Sequence, residues 1–265
     1  LAKQFCHELF KLLHRGVHVD GVITDLGVHD RLPHGLARPI VMDARVAQHD
    51  AYRFVYTLPL GAEELFVEDT YYADSPVLDR NALSGRIDRY CEAAGWHGDI
   101  LGGETGVLPV ITGGDFAAYR AALGGAGVVR SGARGGFVHP LTSYTLPFAV
   151  ETALLVAENS QLPGEQMAAL LEAHARRVWQ RTGFYRMLGS MLFGAAKPEE
   201  RYRIFSRFYR LSPGLIERFY AARSTTPDKL RVLTGKPPVP IPHALRALAS
   251  HRPPLAPQEG TSTNG

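Results

Sequence analysis

Tyr52-Arg53-Phe54-Val55-Tyr56-Thr57-Leu58 decides the fold. Pro59-Leu60-Gly61 closes it, and Glu64 to Tyr72 follows at once, including Leu65-Phe66-Val67-Glu68-Asp69-Thr70. Aromatic and β-branched residues in this density predict two strands, 52–58 and 64–72, paired through a short turn. Alternation puts Phe66, Glu68 and Thr70 on one face, and Val67 and Asp69 on the other. Working outward, Pro39 to Met42 is a short apolar strand. Leu78 to Ala94 is helical, with Leu83, Ile87 and Tyr90 on one side and Gly95 as its stop. Val107 to Thr112 reads as another strand.

Beyond a Gly-rich passage, Leu123 to Gly136, the pattern turns helical. Thr145 is the predicted N-cap of a helix through Ala157, with Pro147 and Glu151 placed in its first turn. Leu162-Pro163-Gly164 separates it from a second helix, Glu165 to Arg181. After Gly183 come interrupted helices, with breaks at Pro198 and Ser212-Pro213-Gly214. Phe5, Leu9, Phe10, Leu12 and Leu13 could line a short N-terminal helix, and no internal repeat is present.

Composition sets the limits. The 265 residues are 45% hydrophobic and 21% charged, which fits one large or two small globular domains. From His251 the chain runs into Pro, Gly, Ser and Thr and is predicted disordered. Cys6 and Cys91 are too few to staple such a domain and fit a reducing compartment. No apolar run reaches the roughly 20 residues of a spanning helix, and no secretory signal is read. Both point to a soluble or peripheral cytoplasmic protein. Between Arg176 and Ser250 there are 15 Lys or Arg against 4 Asp or Glu, while the other residues carry 14 against 22. A positive C-terminal third facing an anionic surface is expected. No nucleic-acid motif accompanies it, so nucleic acid is not expected as a partner. His14 and His18 are four apart, but Gly16 lies between them and no third ligand is evident, so no metal site is predicted.

Three passages, in order, carry a resemblance. The first is Pro33-His34-Gly35-Leu36-Ala37-Arg38-Pro39-Ile40-Val41-Met42-Asp43-Ala44 with Tyr52 to Pro59 and Val67-Glu68-Asp69-Thr70. The second is Gly136-Phe137-Val138-His139-Pro140-Leu141-Thr142-Ser143-Tyr144-Thr145-Leu146-Pro147. The third is Gly183-Phe184-Tyr185-Arg186-Met187-Leu188 with Arg207-Phe208-Tyr209, Leu215 to Tyr220 and Leu233 to Pro240. Together they resemble the bacterial-type lycopene β-cyclases, flavoproteins of carotenoid synthesis, from about Leu32 to Leu248. The resemblance implies acid-catalysed closure of the ψ-ends of lycopene to β-ionone rings, giving β-carotene. It implies reduced FAD, no net redox change, and NADPH or NADH as reductant. Lycopene and, peripherally, a membrane surface are the implied partners.

Such chemistry needs a carboxylic acid that stays protonated and a pocket that excludes water. The resemblance places that acid at Glu68, with Asp69 beside it. A solvated carboxylate pair at a strand end is the bland alternative. The resemblance assigns the flavin contact to Gly136, His139, Pro140, Thr142, Ser143 and Tyr144. Ser143 stands where the family commonly has glycine, which weakens the flavin contact if that glycine serves a positive φ. The bland alternative here is an ordinary loop before a helix.

The implied fold is α/β and two-domain flavoprotein-like, with a mixed β-sheet substrate domain and a helical C-terminal part. No strand–G-x-G-x-x-G–helix element occurs, so the N-terminal Rossmann half is expected to be missing. The expected segments are 1–30 unassigned, 31–135 sheet domain, 136–182 flavin-contacting loop and helices, 183–250 basic helices, and 251–265 tail. Two other functions compete: a truncated fragment that binds membrane or polyene without turnover, and a related flavin-dependent isoprenoid reductase or hydroxylase.

Overall fold

The computed structural model describes residues 17–22, 28–30, 34–75, 79–125, 127–234 and 240–249. The predicted helix through Leu13, the His14 position and the predicted disordered tail lie outside them. The described residues divide into two units, one of residues 18–108 with 196–205, the other of 109–195 with 206 onward.

The first unit is built on a sheet whose strands are β1 (Val17–Val22), β2 (Val28–Asp30), β3 (Ile40–Asp43), β4 (Tyr52–Pro59), β5 (Glu64–Ala73) and β6 (Gly98–Ile100). Their order is β3-β4-β5-β1, with β2 pairing both β5 and β6. The sheet expected to be mixed is antiparallel in each of these ladders. The physical reason lies in the link between β4 and β5. Leu60 to Glu63 can only turn the chain back, whereas a parallel neighbour would need a long crossover. The β4–β5 register runs from Tyr52↔Tyr72 to Pro59↔Leu65 without a slip.

Helix α1 (Arg80–Ala93) covers one face. Asp79 caps it by accepting from the Ala82 amide at 3.0 Å, and Gly95 leaves it at φ 75°. Its Ile87 and Cys91 pack with Val55, Leu65, Val67 and Trp96. Burying each such aliphatic side chain stabilises the unit by about 1.5–3 kcal/mol. The Cys91 thiol is pushed by burial up to about 11 and stays protonated. The first resembling passage is partly scaffold. His34 Nδ1 accepts from Leu36 N, its Nε2 lies 2.7 Å from Gly61 O, and Trp96 Nε1 donates to the His34 carbonyl.

Residues 196–205 belong to this unit although they are distant in sequence. Phe205 stacks on Tyr52 at 4.1 Å. Arg201, wholly buried, donates to the Tyr72 carbonyl at 3.0 Å and to both Asp74 oxygens at 2.7 and 2.9 Å.

The second unit begins at β7 (Leu108–Ile111) and is otherwise helical: α2 (Phe116–Ala122), α3 (Leu146–Glu158), α4 (Gly164–Arg181), α5 (Gly183–Ala195), α6 (Tyr202–Phe208, shared across the unit boundary), α7 (Pro213–Tyr220), α8 (Thr226–Leu233) and α9 (Ile241–Ala249). Helix α8 carries a capping box in which Thr225 and Asp228 satisfy each other's amides. Two expectations at α3 need correction. Thr145 stands at the N-cap position but its hydroxyl makes no cap bond. Glu151 lies beyond the first turn and instead takes a two-pronged ion pair from Arg181, at 2.9 and 2.6 Å. No helix among the described residues is long and apolar enough to cross a membrane.

Candidate active site

Glu68 sits in the middle of ten-residue β5, as the strand predicted over 64–72 requires, and not at the strand end of the bland alternative. The β4 ladder carries the strand to Tyr72, and β1 pairs with the same half, Val19 lying opposite Ala73 and Val22 opposite Asp69. Directly across from Glu68 on β4 is Tyr56, with Phe54 opposite Thr70 and Leu58 opposite Phe66. These pairs share one face. Thr70 Oγ1 donates to Glu68 Oε1 at 2.8 Å. Phe54 meets Tyr56 edge-on at 5.5 Å and lies 5.0 Å from Tyr52. Glu68 is therefore a half-buried carboxyl on an aromatic face.

Asp69 belongs to the other face and is fully buried. Arg53 Nε donates to its Oδ1 at 2.8 Å and the Tyr71 hydroxyl to its Oδ2 at 2.6 Å. Burial holds the Asp69 carboxyl above its ordinary range, and the bonds from Arg53 and Tyr71 offset only part of that rise. The adjacent acids are thus not a solvated pair. One faces the aromatic wall; the other is locked behind the strand. Arg53 and Tyr71 were given no role from sequence, although alternation across the hairpin puts Arg53 on the Asp69 side.

The residues assigned to flavin contact lie in the second unit. Gly136 has φ 88°, and a Cβ there would come 2.8 Å from the Phe116 ring. Its glycine is required by protein packing. The cavity behind it, lined by Phe116, Val138 and Trp179 among others, is about 20 Å³, room for one water. His139 is wholly buried between Tyr185, 4.5 Å away, and Phe219, 5.5 Å away. Its Nδ1 accepts the amides of Leu141 and Thr142, both at 3.2 Å, so the ring proton sits on Nε2 and points at the Phe219 carbonyl, 3.1 Å away. Burial pushes this imidazole down to about 3, and it stays neutral. Pro140 is buried too, its carbonyl accepting from Ile111 N at 2.7 Å.

Ser143 answers the question its sequence raised. It adopts φ 56°, the left-handed conformation a glycine would take without strain. Its amide closes a turn onto the His139 carbonyl at 2.9 Å, and its hydroxyl donates to the Pro109 carbonyl at 2.8 Å. The loop geometry is kept by a local hydrogen bond. Thr142 Oγ1 accepts from the Tyr144 amide at 3.4 Å, and Tyr144 is 41% exposed. Only this end of the segment, Thr142 to Leu146, opens outward into α3.

Residues 19–246 match the sequence model of a family described as "Lycopene cyclase protein". The chain belongs to the lycopene cyclase family. It is 47% identical over 222 residues to a protein of Pseudescherichia vulneris named "Lycopene beta-cyclase", covering 83% of this chain and 57% of that one. Proteins of the same name from Paracoccus sp. (strain N81106 / MBIC 01143) and Pantoea ananas are 43% and 41% identical, covering 82% and 83% of this chain and 56% and 57% of theirs. The chain thus spans a little over half the length of the curated relatives it matches. Within β5, Glu64 and Glu68 are half-buried acids and Asp69 is a fully buried one.

Proposed function

We propose that this chain forms the sheet and C-terminal helical part of a lycopene β-cyclase, arranged as in two-domain flavoproteins, with Glu68 as the general acid. The reading rests on one observation: Glu68 presents its carboxyl from mid-strand onto an aromatic face, while its neighbour Asp69 is held away by Arg53. In the reaction Glu68 gives its proton to the terminal double bond of a ψ-end, leaving a tertiary carbocation. The next suitably placed double bond attacks that carbon, forming the ring bond and moving the charge. Loss of a ring proton to a base then leaves the β-ionone double bond, so atoms balance and no electrons are exchanged. Thr70 holds the Glu68 oxygen that it donates to and so fixes the carboxyl on its face. Aromatic surface on either side keeps water from trapping the cation.

Reduced FAD, with NADPH or NADH as its reductant, would supply electron density to the reaction. The chain offers it Ser143, Tyr144 and the start of α3, whose first-turn amides have no side-chain cap and suit an electron-rich group. The His139 and Pro140 side chains would act from behind, setting that loop. Peripheral attachment through the basic C-terminal helices would bring the enzyme to membrane-dissolved lycopene.

The experiment is Glu68→Gln in a chain completed by fusing a relative's N-terminal segment upstream, expressed in a lycopene-accumulating host. Cyclisation is expected to fall by about two orders of magnitude or more, with flavin content unchanged. Near-normal β-carotene would remove Glu68 from the role.

A further inference from the structure

We propose that the outer face of α3 docks the part of the polypeptide that the lycopene cyclase relatives carry and this chain does not match. That step rests on reading this chain as one part of a larger cyclase, and not on Glu68 as its acid. Helix α3 is apolar almost all round: of its 13 residues only Glu151, Thr152 and Glu158 are polar. A helix of that composition is ordinarily covered on every side. One side is covered, for Phe148 and Thr152 are buried and Glu151 is held by Arg181. The other side is open. Leu146, Val150 and Leu154 are 58%, 51% and 59% exposed, and Ala149, Ala153 and Ala157 are exposed beside them. Spacings of three and four put these six in one stripe. No other helix among the described residues leaves three large apolar side chains more than half exposed.

Charge and size choose the occupant of this stripe. An anionic bilayer favours helices whose polar side carries Lys or Arg. Helix α3 has neither, and its two charged residues are glutamates. A second copy would need more surface. The 13 residues make a helix about 20 Å long and about 10 Å across. The stripe therefore offers roughly a few hundred Å², against the about 800 Å² that each partner buries in a stable complex. A segment of the same polypeptide needs less, since its tether has already brought it close. The relatives have such a segment: the Pseudescherichia vulneris protein is matched over 57% of its length, and the rest of it has no counterpart in the match. The three alanines of the stripe let another backbone approach closely, so the occupant is expected to present a bulky apolar helix or strand.

The test is a labelling rate and needs no turnover. Leu154→Cys is introduced in the 265-residue chain, in the same chain fused to the unmatched segment of the Pseudescherichia vulneris protein, and at the aligned position of that intact relative. A thiol reagent is added, and the peptide carrying the new cysteine is followed by mass spectrometry. In the chain alone the thiol should react freely. In the fusion and in the intact relative it should react at least about tenfold more slowly. Because a fusion can fail to fold, the intact relative decides when it does: fast labelling there overturns the docking face. Protection of the chain alone that grows with its concentration would assign the stripe to a second copy and overturn it too. So would protection that appears only with phosphatidylcholine–phosphatidylglycerol vesicles, which would assign it to a bilayer. Glu68→Gln in the fusion should leave the labelling slow. An active Glu68→Gln fusion with a protected thiol would remove the acid and keep the docking face. An inactive one that holds flavin but labels fast would do the reverse.

Discussion

Replacing Asp69 by Asn isolates what the buried pair behind β5 contributes. The substitution keeps shape and leaves the Tyr71 hydroxyl a partner, but it strips the anion from Arg53. The Arg53 side chain is 6% exposed and the Asp69 side chain is fully buried, so water cannot compensate the stranded guanidinium. Breaking a buried pair from one side costs about 3–5 kcal/mol, a large part of the roughly 5–15 kcal/mol that holds a typical domain folded. With a urea dependence of about 2 kcal/mol per molar, the unfolding midpoint should drop by about 1.5–2.5 M. The double variant Arg53→Met/Asp69→Leu should recover most of that loss, because a matched apolar pair carries no desolvated charge. A double-mutant cycle should therefore show coupling of at least about 2 kcal/mol. If Asp69→Asn moves the midpoint by less than about 0.5 M, the pair is behaving like an exposed one and the argument fails. The double variant also separates two roles. If Asp69 serves the strand and Glu68 alone is the proposed acid, the double variant should keep the cyclase activity proposed for the completed enzyme; its loss would return Asp69 to the reaction.

At Ser143, Gly relieves the left-handed backbone but forfeits the hydrogen bond to Pro109, so Ser143→Gly should change stability by less than about 1 kcal/mol. Ser143→Ala keeps the strain and loses the bond, and should cost about 1–2 kcal/mol; thermal unfolding that ranks Ala above Gly would contradict this. Because the His139 imidazole is lowered from 6.5 to about 3, the unfolded chain takes up a proton that the folded one refuses. Its share of stability is present above pH 6.5 and is lost as pH falls toward 3, at about 1.4 kcal/mol per pH unit. Histidine NMR signals should show His139 neutral at pH 5, and a midpoint near 6 would refute its burial. Arg201→Ala removes a wholly buried side chain and its bonds to Tyr72 and Asp74, and should destabilise the sheet unit by about 2–4 kcal/mol in urea unfolding. Glutamine at Arg203, Arg207 and Arg210 should weaken binding to anionic liposomes by about 1 kcal/mol for each charge that reaches the surface. Arg207 already donates to the Thr234 carbonyl, so its replacement should matter least; equal wild-type binding to neutral and anionic vesicles would exclude the attachment.

Local chemistry made much of this protein legible from sequence alone. Period-two alternation of aromatic and β-branched residues marks β4 and β5 and puts Glu68 and Asp69 on opposite faces, because alternation is a property of the extended backbone itself. Gly95 and Pro163 mark element ends for equally local reasons, and the order of three passages marks the family. Tertiary structure decided the rest. The second partner of β5 between Asp69 and Ala73 is β1, which is distant in sequence. Asp69 became an ion-pair member because only the folded hairpin brings Arg53 to it and removes water from both. Arg201 and Phe205 return to the sheet with no local signal, since a buried arginine reads in sequence like any solvated one. Ser143 is left-handed because the turn onto His139 and the Pro109 carbonyl hold it there, whereas its intrinsic preference is for negative φ. Periodicity is written residue by residue; charge burial and strain depend on what the rest of the chain brings against them.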